Sequence, residues 1–102
     1  MSMQEITQGT DIKFLVKIES VGFDQDDDDW YIELMTGNNA ARRYNKGDME
    51  LTEDGWVLPI ETSGLKPTAY DIKVTAYIAD LDFPDNMRTE VFRQPLMVVK
   101  RG

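Results

Sequence analysis

The residues of this sequence best suited to chemistry are the aspartates of the segment 24–29. Asp24, Asp26 and Asp28 stand at alternate positions, the spacing of the first carboxylate ligands in an EF-hand calcium loop. That loop also needs glycine at its sixth position and glutamate at its twelfth, where this chain has Asp29 and Met35. An EF-hand is therefore excluded. Two interpretations stay open: a looser Ca²⁺ site, or a solvated loop, which the usual behaviour of charge runs favours.

A second acidic loop follows later in the chain and contains Asp80, Asp82 and Asp85. Its carboxylates could also bind Ca²⁺, and the two acidic loops could meet, because alternate hairpin loops gather at one end of a sandwich. The favoured interpretation is turn chemistry, since Asp85 and Asn86 tolerate the left-handed conformation and bond nearby backbone. We expect no cofactor, and Ca²⁺ is the only ion considered. The candidate metal ligands are Asp24, Asp26, Asp28, Asp80 and Asp82.

The composition removes most catalytic devices. The 102-residue chain has no His and no Cys, so it lacks the commonest general base and cannot form a Ser-His-Asp or Cys-His triad. Two carboxylates can hydrolyse a glycosidic bond, but only across a substrate cleft, which a sandwich of this size rarely has. With 11 basic against 19 acidic residues and a net charge of −8, binding to nucleic acid or anionic lipid is disfavoured. We expect no enzyme, no nucleic-acid partner and no membrane.

The aromatic residues divide into two groups. Trp30 and Trp56 lie on apolar strand faces and are expected in the core. Tyr31 and Tyr77 occupy outward positions on their strands, and Phe83 lies in a loop. Together with Arg88 they suit a protein-interaction surface, where aromatic residues and Arg are enriched. The alternative is that neighbouring segments cover these outward faces. Predicted interaction residues are Tyr31, Tyr77, Phe83 and Arg88.

A small basic cluster, Arg42-Arg43 with Lys46, is too small for a nucleic-acid footprint. It could support self-association by pairing with acids of a second copy. A solvated edge strand is the favoured interpretation, because charged residues at an edge discourage unwanted pairing.

Period-two alternation of apolar residues predicts strands and no helices. The pattern is clearest over residues 70–78, with Tyr70, Ile72, Val74, Ala76 and Ile78 inward. The first two strands are expected to pair as a hairpin across the first acidic loop. Pro59 indicates an edge or a bulge, and Pro95 is expected to interrupt the last strand. The predicted strands are 11–18, 30–35, 41–45, 49–51, 56–60, 70–78 and 89–99.

The segment Gly64-Leu65-Lys66-Pro67-Thr68-Ala69-Tyr70-Asp71-Ile72-Lys73-Val74-Thr75-Ala76-Tyr77 resembles the connection and following strand of fibronectin type III domains. The resemblance implies that Tyr70 forms a tyrosine corner, its hydroxyl bonding backbone at the crossover. It also implies that Leu65 fills the core from the loop. This sequence is one residue shorter than that family between the Pro and the Tyr.

Two further segments are loosely similar to small sandwich modules of phage tails, baseplates and conjugative elements: the residues Gly9-Thr10-Asp11-Ile12-Lys13-Phe14 and the residues 82–91. Such modules are structural or adhesive accessories. This similarity implies a protein partner within such an assembly.

We therefore expect an all-β chain: a flexible leader over residues 1–10 and one domain over 11–102. The domain is predicted to be a single antiparallel, immunoglobulin-like β-sandwich of about seven strands. The expected function is a non-catalytic structural or protein-interaction module, with a carbohydrate- or calcium-binding module as the alternative. Residues 1–10 lack the apolar segment of a signal peptide, so we expect a cytoplasmic location or assembly into a phage-like particle.

Overall fold

A computed structural model describes residues 4–100. The chain is almost entirely β, with two one-turn 3₁₀ helices, Lys46–Asp48 and Pro84–Asn86. No helix within residues 4–100 is long and apolar enough to cross a membrane. The strands are β1 Gln4–Thr7, β2 Asp11–Val16, β3 Trp30–Thr36, β4 Asn39–Tyr44, β5 Glu50–Thr52, β6 Gly55–Glu61, β7 Ala69–Ala79 and β8 Met87–Val99.

The strands form two sheets. The larger has the order β1-β8-β7-β3-β4, and the smaller has the order β2-β6-β5. The prediction of an all-β chain is confirmed. The prediction of purely antiparallel pairing is wrong for the larger sheet, because β1 runs parallel to β8, with Gln4 opposite Leu96.

The predicted hairpin between the first two strands does not form. β2 pairs with β6 in the smaller sheet, whereas β3 pairs with β4 and β7 in the larger one. The connection over residues 17–29 crosses from one sheet to the other. Both strands have an apolar face, and placing them in different sheets lets Val16 and Ile32 join the same core.

Part of the predicted flexible leader is a strand. Gln4–Thr7 pairs with Leu96–Val99 of β8, and Ile6 is buried at 8% exposure. One buried apolar side chain and a row of backbone hydrogen bonds hold this segment in place, although its sequence is otherwise polar. Residues 1–3, the rest of that prediction, lie outside the described residues.

Both prolines inside strands lie where one side of the strand has no neighbour. β6 is the middle strand of the smaller sheet, but β5 pairs with it only as far as Val57, so Pro59 loses no hydrogen bond on that side. The sheet thus has a local edge at Pro59, although β6 is not an edge strand. The predicted interruption at Pro95 is wrong. β8 runs through it, because β1 begins to pair with β8 only at Leu96, and the missing N–H of Pro95 costs nothing on the open side.

One hydrophobic core receives side chains from both sheets. The inward residues of β7 predicted from its alternation are all buried, as are Ile32 and Leu34 of β3 and Leu58 and Ile60 of β6. The side chains of β7 therefore point alternately into the core and away from it, as the sequence predicts. Its inward face packs into the core, and its opposite face forms the outer surface of the larger sheet.

Tyr70 and Leu65 anchor the connection from β6 to β7. Both side chains are 4% exposed. The Tyr70 hydroxyl donates to the Lys66 carbonyl oxygen at 2.9 Å, four residues upstream, and this is the geometry of a tyrosine corner. The shorter spacing between Pro67 and Tyr70 does not prevent this bond.

Candidate functional site

The outer face of the larger sheet brings two of the predicted interaction residues together. Tyr31 lies on β3 opposite Thr75 of β7, and Tyr77 lies two residues further along β7 on the same face. The two tyrosine rings lie 6.2 Å apart between centroids with an interplanar angle of 37°. Interaction with the Tyr31 hydroxyl, followed by desolvation, raises the pKa of Tyr77. The raised pKa reflects the closeness of the two hydroxyl groups on this face.

Arg43 of the edge strand β4 extends this aromatic pair. Its guanidinium carbon lies 3.9 Å from the centroid of the Tyr31 ring, which is a cation–π contact worth about 0.5–1 kcal/mol at an exposed site. The stacking orients the guanidinium without using up its hydrogen-bond donors. No acceptor within residues 4–100 bonds these donors, and Arg can bind a partner's carboxylate bidentately.

Charged side chains form a row across the same face, which crosses β3 two residues beyond Tyr31. Arg43 lies opposite Glu33, Glu33 opposite Lys73, and Lys73 opposite Arg93. The Lys73 ammonium lies 3.9 Å from a Glu33 carboxylate oxygen, and the Arg93 guanidinium lies 3.5 Å from an Asp71 carboxylate oxygen. Three cations against the two carboxylates of Glu33 and Asp71 leave this row with a local charge of +1 on a chain whose net charge is −8.

Thr75 lies among these residues and is buried at 5% exposure although it is on the outer face. Its hydroxyl has no hydrogen-bond partner within residues 4–100. Across the strands its neighbours are Tyr31 and Val91. A buried unpaired hydroxyl costs about 1–3 kcal/mol, so the outer face carries a polar group that its own neighbours do not satisfy.

A shallow depression of about 470 Å³ continues from the tyrosines toward the first acidic loop. It is lined by Tyr31, Tyr77 and Arg43 and reaches Trp30 and Lys46. The depression is open and polar enough to receive a side chain of another protein. Its lining contains aromatic residues and Arg, as in the centres of many protein interfaces.

The two tryptophans attach the first acidic loop to the body. Their rings meet edge to face, 5.8 Å apart at 83°. The Trp30 indole N–H donates to the Gln25 carbonyl at 2.7 Å, and the Trp56 indole N–H donates to the Asp26 carboxylate at 2.8 Å. Trp30 is buried, as predicted, whereas Trp56 is only partly buried.

The aspartates of the first loop mostly hold its own backbone. Asp24 accepts the Asp26 N–H at 3.0 Å, and Asp28 accepts the Asp24 N–H at 2.8 Å. Within residues 4–100 no three acidic side chains converge on a point where they could hold a metal ion. The arrangement fits the solvated loop that the sequence favoured, and the Ca²⁺ site stays a prediction.

The second acidic loop is organised by Arg88, which lies opposite Ile78 and hence on the core side of β8. Its guanidinium donates to Asp80, to Glu90 at 3.0 Å, and to the Val21 carbonyl at 2.6 Å. The structure therefore does not bring Arg88 together with Tyr31 and Tyr77, and its part in an interaction surface stays a prediction. The alternation along β8 turns it to the opposite face.

The pKa values of two carboxylates around Arg88 are shifted. The Asp82 backbone N–H and then Arg88 lower the pKa of Asp80. The Ser20 hydroxyl and then Arg88 lower the pKa of Glu90. Both shifts favour the ionised form. Arg88 thus joins the second acidic loop to the connection that precedes the first one, through the Val21 carbonyl.

The other predicted residues of this loop behave as turn residues or stay exposed. Asp85 and Asn86 have positive φ angles of 60° and 56°, as predicted. The Asp82 N–H donates to Asp80 at 3.0 Å. Phe83 is 46% exposed in the loop.

The basic cluster does not act as one patch. Arg42 donates to the Glu61 carbonyl and to the Tyr44 hydroxyl. Arg43 lies over Tyr31. The Lys46 ammonium donates to the Asp26 carbonyl at 2.9 Å. β4 is the edge strand that the sequence predicted, and self-association through this cluster stays a prediction.

Sequence reasoning missed Thr75 and Arg43 as members of the outer-face site. Thr75 stands at an outward position of β7. The only sign of its role in the sequence is that a neutral β-branched residue lies between Lys73 and Tyr77. The sequence shows Arg43 only as part of a charge cluster, because its cross-strand neighbours depend on the pairing of β3 with β4.

Comparison with known proteins identifies no relative: no family model, no curated protein and no solved structure matches this chain.

Proposed function

We propose that this protein is an immunoglobulin-like β-sandwich that works as a non-catalytic protein-interaction module. The observation that carries the proposal is the surface formed by Tyr31, Tyr77 and Arg43, which we call the tyrosine face. It combines aromatic side chains, a guanidinium with free donors, and a neighbouring depression. Tyr and Arg are the residue types most often responsible for binding energy at protein interfaces.

Strand order supports the immunoglobulin-like part of the proposal. In that fold one sheet holds strands G, F and C, with C′ beyond C in variable domains, and the other holds B, E and D. The orders β8-β7-β3-β4 and β2-β6-β5 correspond to this arrangement when β2 is strand B. A buried Trp30 on β3 and the corner made by Tyr70 at the start of β7 agree with it as well.

Two observations support a non-catalytic role. The chain has no His or Cys. The two carboxylates with clearly shifted pKa values, Asp80 and Glu90, are shifted downward. A general acid needs the opposite shift at neutral pH.

For the setting of the interaction, we propose a phage-like or conjugative assembly. This part rests on the similarity of the segments 9–14 and 82–91 to accessory modules of such assemblies. The basic row beside the tyrosine face favours a partner surface that is acidic and carries an apolar or aromatic projection.

The test is affinity capture with quantitative mass spectrometry, using three forms of the protein as bait. These are the unaltered protein, the double variant Arg43→Ala with Tyr77→Ala, and the control Leu51→Ala. Leu51 is 54% exposed on β5 of the smaller sheet, so its truncation removes apolar surface away from the tyrosine face.

We expect a partner that the unaltered protein and the control recover and that the double variant loses by at least about tenfold, since two truncated hot-spot residues cost 1 kcal/mol or more each. Equal recovery by all three baits would contradict the assignment of the face. No partner, together with a melting temperature that rises with millimolar Ca²⁺ or retention on a polysaccharide column, would favour the alternative module.

A further inference from the structure

A groove opens into the core on the side of the molecule where β2 and β8 approach each other. It has a volume of about 320 Å³. Phe14 and Leu15 of β2 line one wall, Phe92 of β8 lines the other, and Ile72 and Val74 of β7 form its floor. Ile72 and Val74 belong to the core cluster. The groove is therefore an opening toward the core between the two sheets, and it is separate from the tyrosine face.

Both strands that border the groove have a side without a neighbour. β1 pairs with β8 only from Leu96 to Val99, so Met87–Pro95 has β7 on one side and no described strand on the other. β2 pairs with β6 alone. Within residues 4–100, β1 thus occupies one end of this seam between the sheets and no strand occupies the rest.

Pro59 shows which backbone groups of β2 face the open side. It lies opposite Lys13 and has no N–H to donate, yet the pairing of β2 with β6 continues on both sides of it. Lys13 and Pro59 are therefore a pair whose backbone groups do not bond each other. Because backbone groups alternate sides along a strand, the N–H and C=O groups of Lys13 and Leu15 point away from β6. The amides of Ile12 and Phe14 point toward β6.

Charge around the groove selects its occupant. Lys17 lines it, and Lys13 lies on the same face of β2 as Leu15 and Lys17. Arg93 also borders the groove, but its guanidinium pairs with the Asp71 carboxylate at 3.5 Å on the outer face of the larger sheet. Lysines on an edge strand oppose pairing with an identical edge through like-charge repulsion. The same lysines favour a strand that carries carboxylates. Leu15 and Phe92, 41% and 36% exposed, provide apolar surface for the alternate side chains of that strand.

We propose that this groove binds an extended acidic segment of a partner protein, which adds to the free edge of β2 as a further strand. Its apolar side chains enter the groove above Ile72 and Val74, and its carboxylates lie near Lys13 and Lys17. Main-chain hydrogen bonds to Lys13 and Leu15 provide affinity, and the alternate side chains provide specificity. The proposal does not depend on the tyrosine face.

The probe is a synthetic peptide, acetyl-Asp-Val-Glu-Val-Asp-Val-Glu-amide, titrated into the isotopically labelled protein. Amide hydrogen exchange is measured by two-dimensional NMR with and without the peptide. We expect exchange at Lys13 and Leu15 to slow by at least about tenfold at saturation, because these N–H groups gain partners. The Ile12 and Phe14 amides are the internal control, and their exchange should change little.

Two matched comparisons separate strand addition from other binding. A peptide that is N-methylated at alternate residues on its pairing edge keeps its side chains and charges but loses its donors, so it should not bind. The variant Lys17→Glu should weaken the unmodified peptide by about fivefold, as expected for reversing one exposed charge. Lys66→Glu changes the net charge equally at an exposed residue outside the groove and should bind as the unaltered protein does.

Four results would overturn the proposal. These are unchanged exchange at Lys13 and Leu15 with millimolar peptide, equal binding of the N-methylated peptide, and shifts confined to Tyr31 and Tyr77. The fourth is protection of β2 that depends on protein concentration without peptide, which would make the occupant a second copy. The Tyr77→Ala variant should bind the peptide normally, so failure here and failure of the tyrosine face are distinguishable.

Discussion

Replacing Thr75 by Val should stabilise this protein. The Thr75 hydroxyl is buried with the rest of its side chain, which is 5% exposed, and no group within residues 4–100 bonds to it. Valine has nearly the same shape, keeps the β-branch that strands favour, and places a methyl group where the unpaired hydroxyl stands. The substitution therefore removes a desolvation cost without opening a cavity.

The magnitude follows from two terms. An unsatisfied buried hydroxyl costs about 1–3 kcal/mol, and an added buried methyl group contributes about 0.8 kcal/mol. Allowing for imperfect packing, we expect the free energy of unfolding to rise by about 1–2 kcal/mol. For a domain of this size, about 1 kcal/mol corresponds to a melting-temperature rise of roughly 4–8 °C. Urea denaturation followed by circular dichroism measures the change, with the slope m unchanged.

Thr75→Ser is the matched control, because it keeps the hydroxyl and removes only the methyl group. It should be less stable than the unaltered protein by about 1 kcal/mol. If Thr75→Val instead lost 1 kcal/mol or more while Thr75→Ser stayed neutral, the hydroxyl would have a partner and the reasoning would be refuted.

Three further predictions concern the core and the ion pairs. Tyr70→Phe should lower the free energy of unfolding by about 1 kcal/mol, since it removes one hydrogen bond from the corner, as urea denaturation would show. Leu58→Ala should cost about 2–5 kcal/mol, because the residue is 0% exposed in the core; a smaller loss would mean that the core closes around the gap. The lowered pKa values of Asp80 and Glu90 stabilise the fold above their unfolded-state values, and this stability should fall as the pH drops through about 4 and below. In Arg88→Met that acid-dependent loss of melting temperature should be smaller.

The strands with strict alternation were predictable from the sequence. Tyr70–Ile78 and Trp30–Leu34 each place one apolar residue at every second position, and a half-buried strand follows from that period alone. The same alternation put Tyr31 and Tyr77 on the outer face. It could not show that the two rings meet, because this depends on β3 and β7 being neighbours.

Pairing was the part that the sequence did not determine. The hairpin expected across the first acidic loop does not form. With β2 and β3 in opposite sheets, Val16 and Ile32 are both buried in one core. The strand Gln4–Thr7 has one buried apolar residue and no visible alternation, so its order comes from its partner β8. Tertiary context overrides local pattern in both places.

The face on which Arg88 lies was not predictable from its neighbours in the sequence. Arg88 stands in an apolar-poor stretch of β8 where polar residues fall on both faces, so alternation gives no signal. β8 is longer than the core it covers, and its first residues meet the connection carrying Ser20 and Val21. A cation is stable on that inner side only because Asp80 and Glu90 lie beside it.

Because the first acidic loop is attached to two indole groups, tryptophan fluorescence reports on the state of this loop. Trp30 and Trp56 are the only tryptophans in the sequence, and both use their N–H to hold residues of the same loop. Local opening of that loop would expose both indoles to water before the sheets separate. Emission should then shift to longer wavelength ahead of the loss of β signal, and Trp56→Phe would assign the early component to one ring.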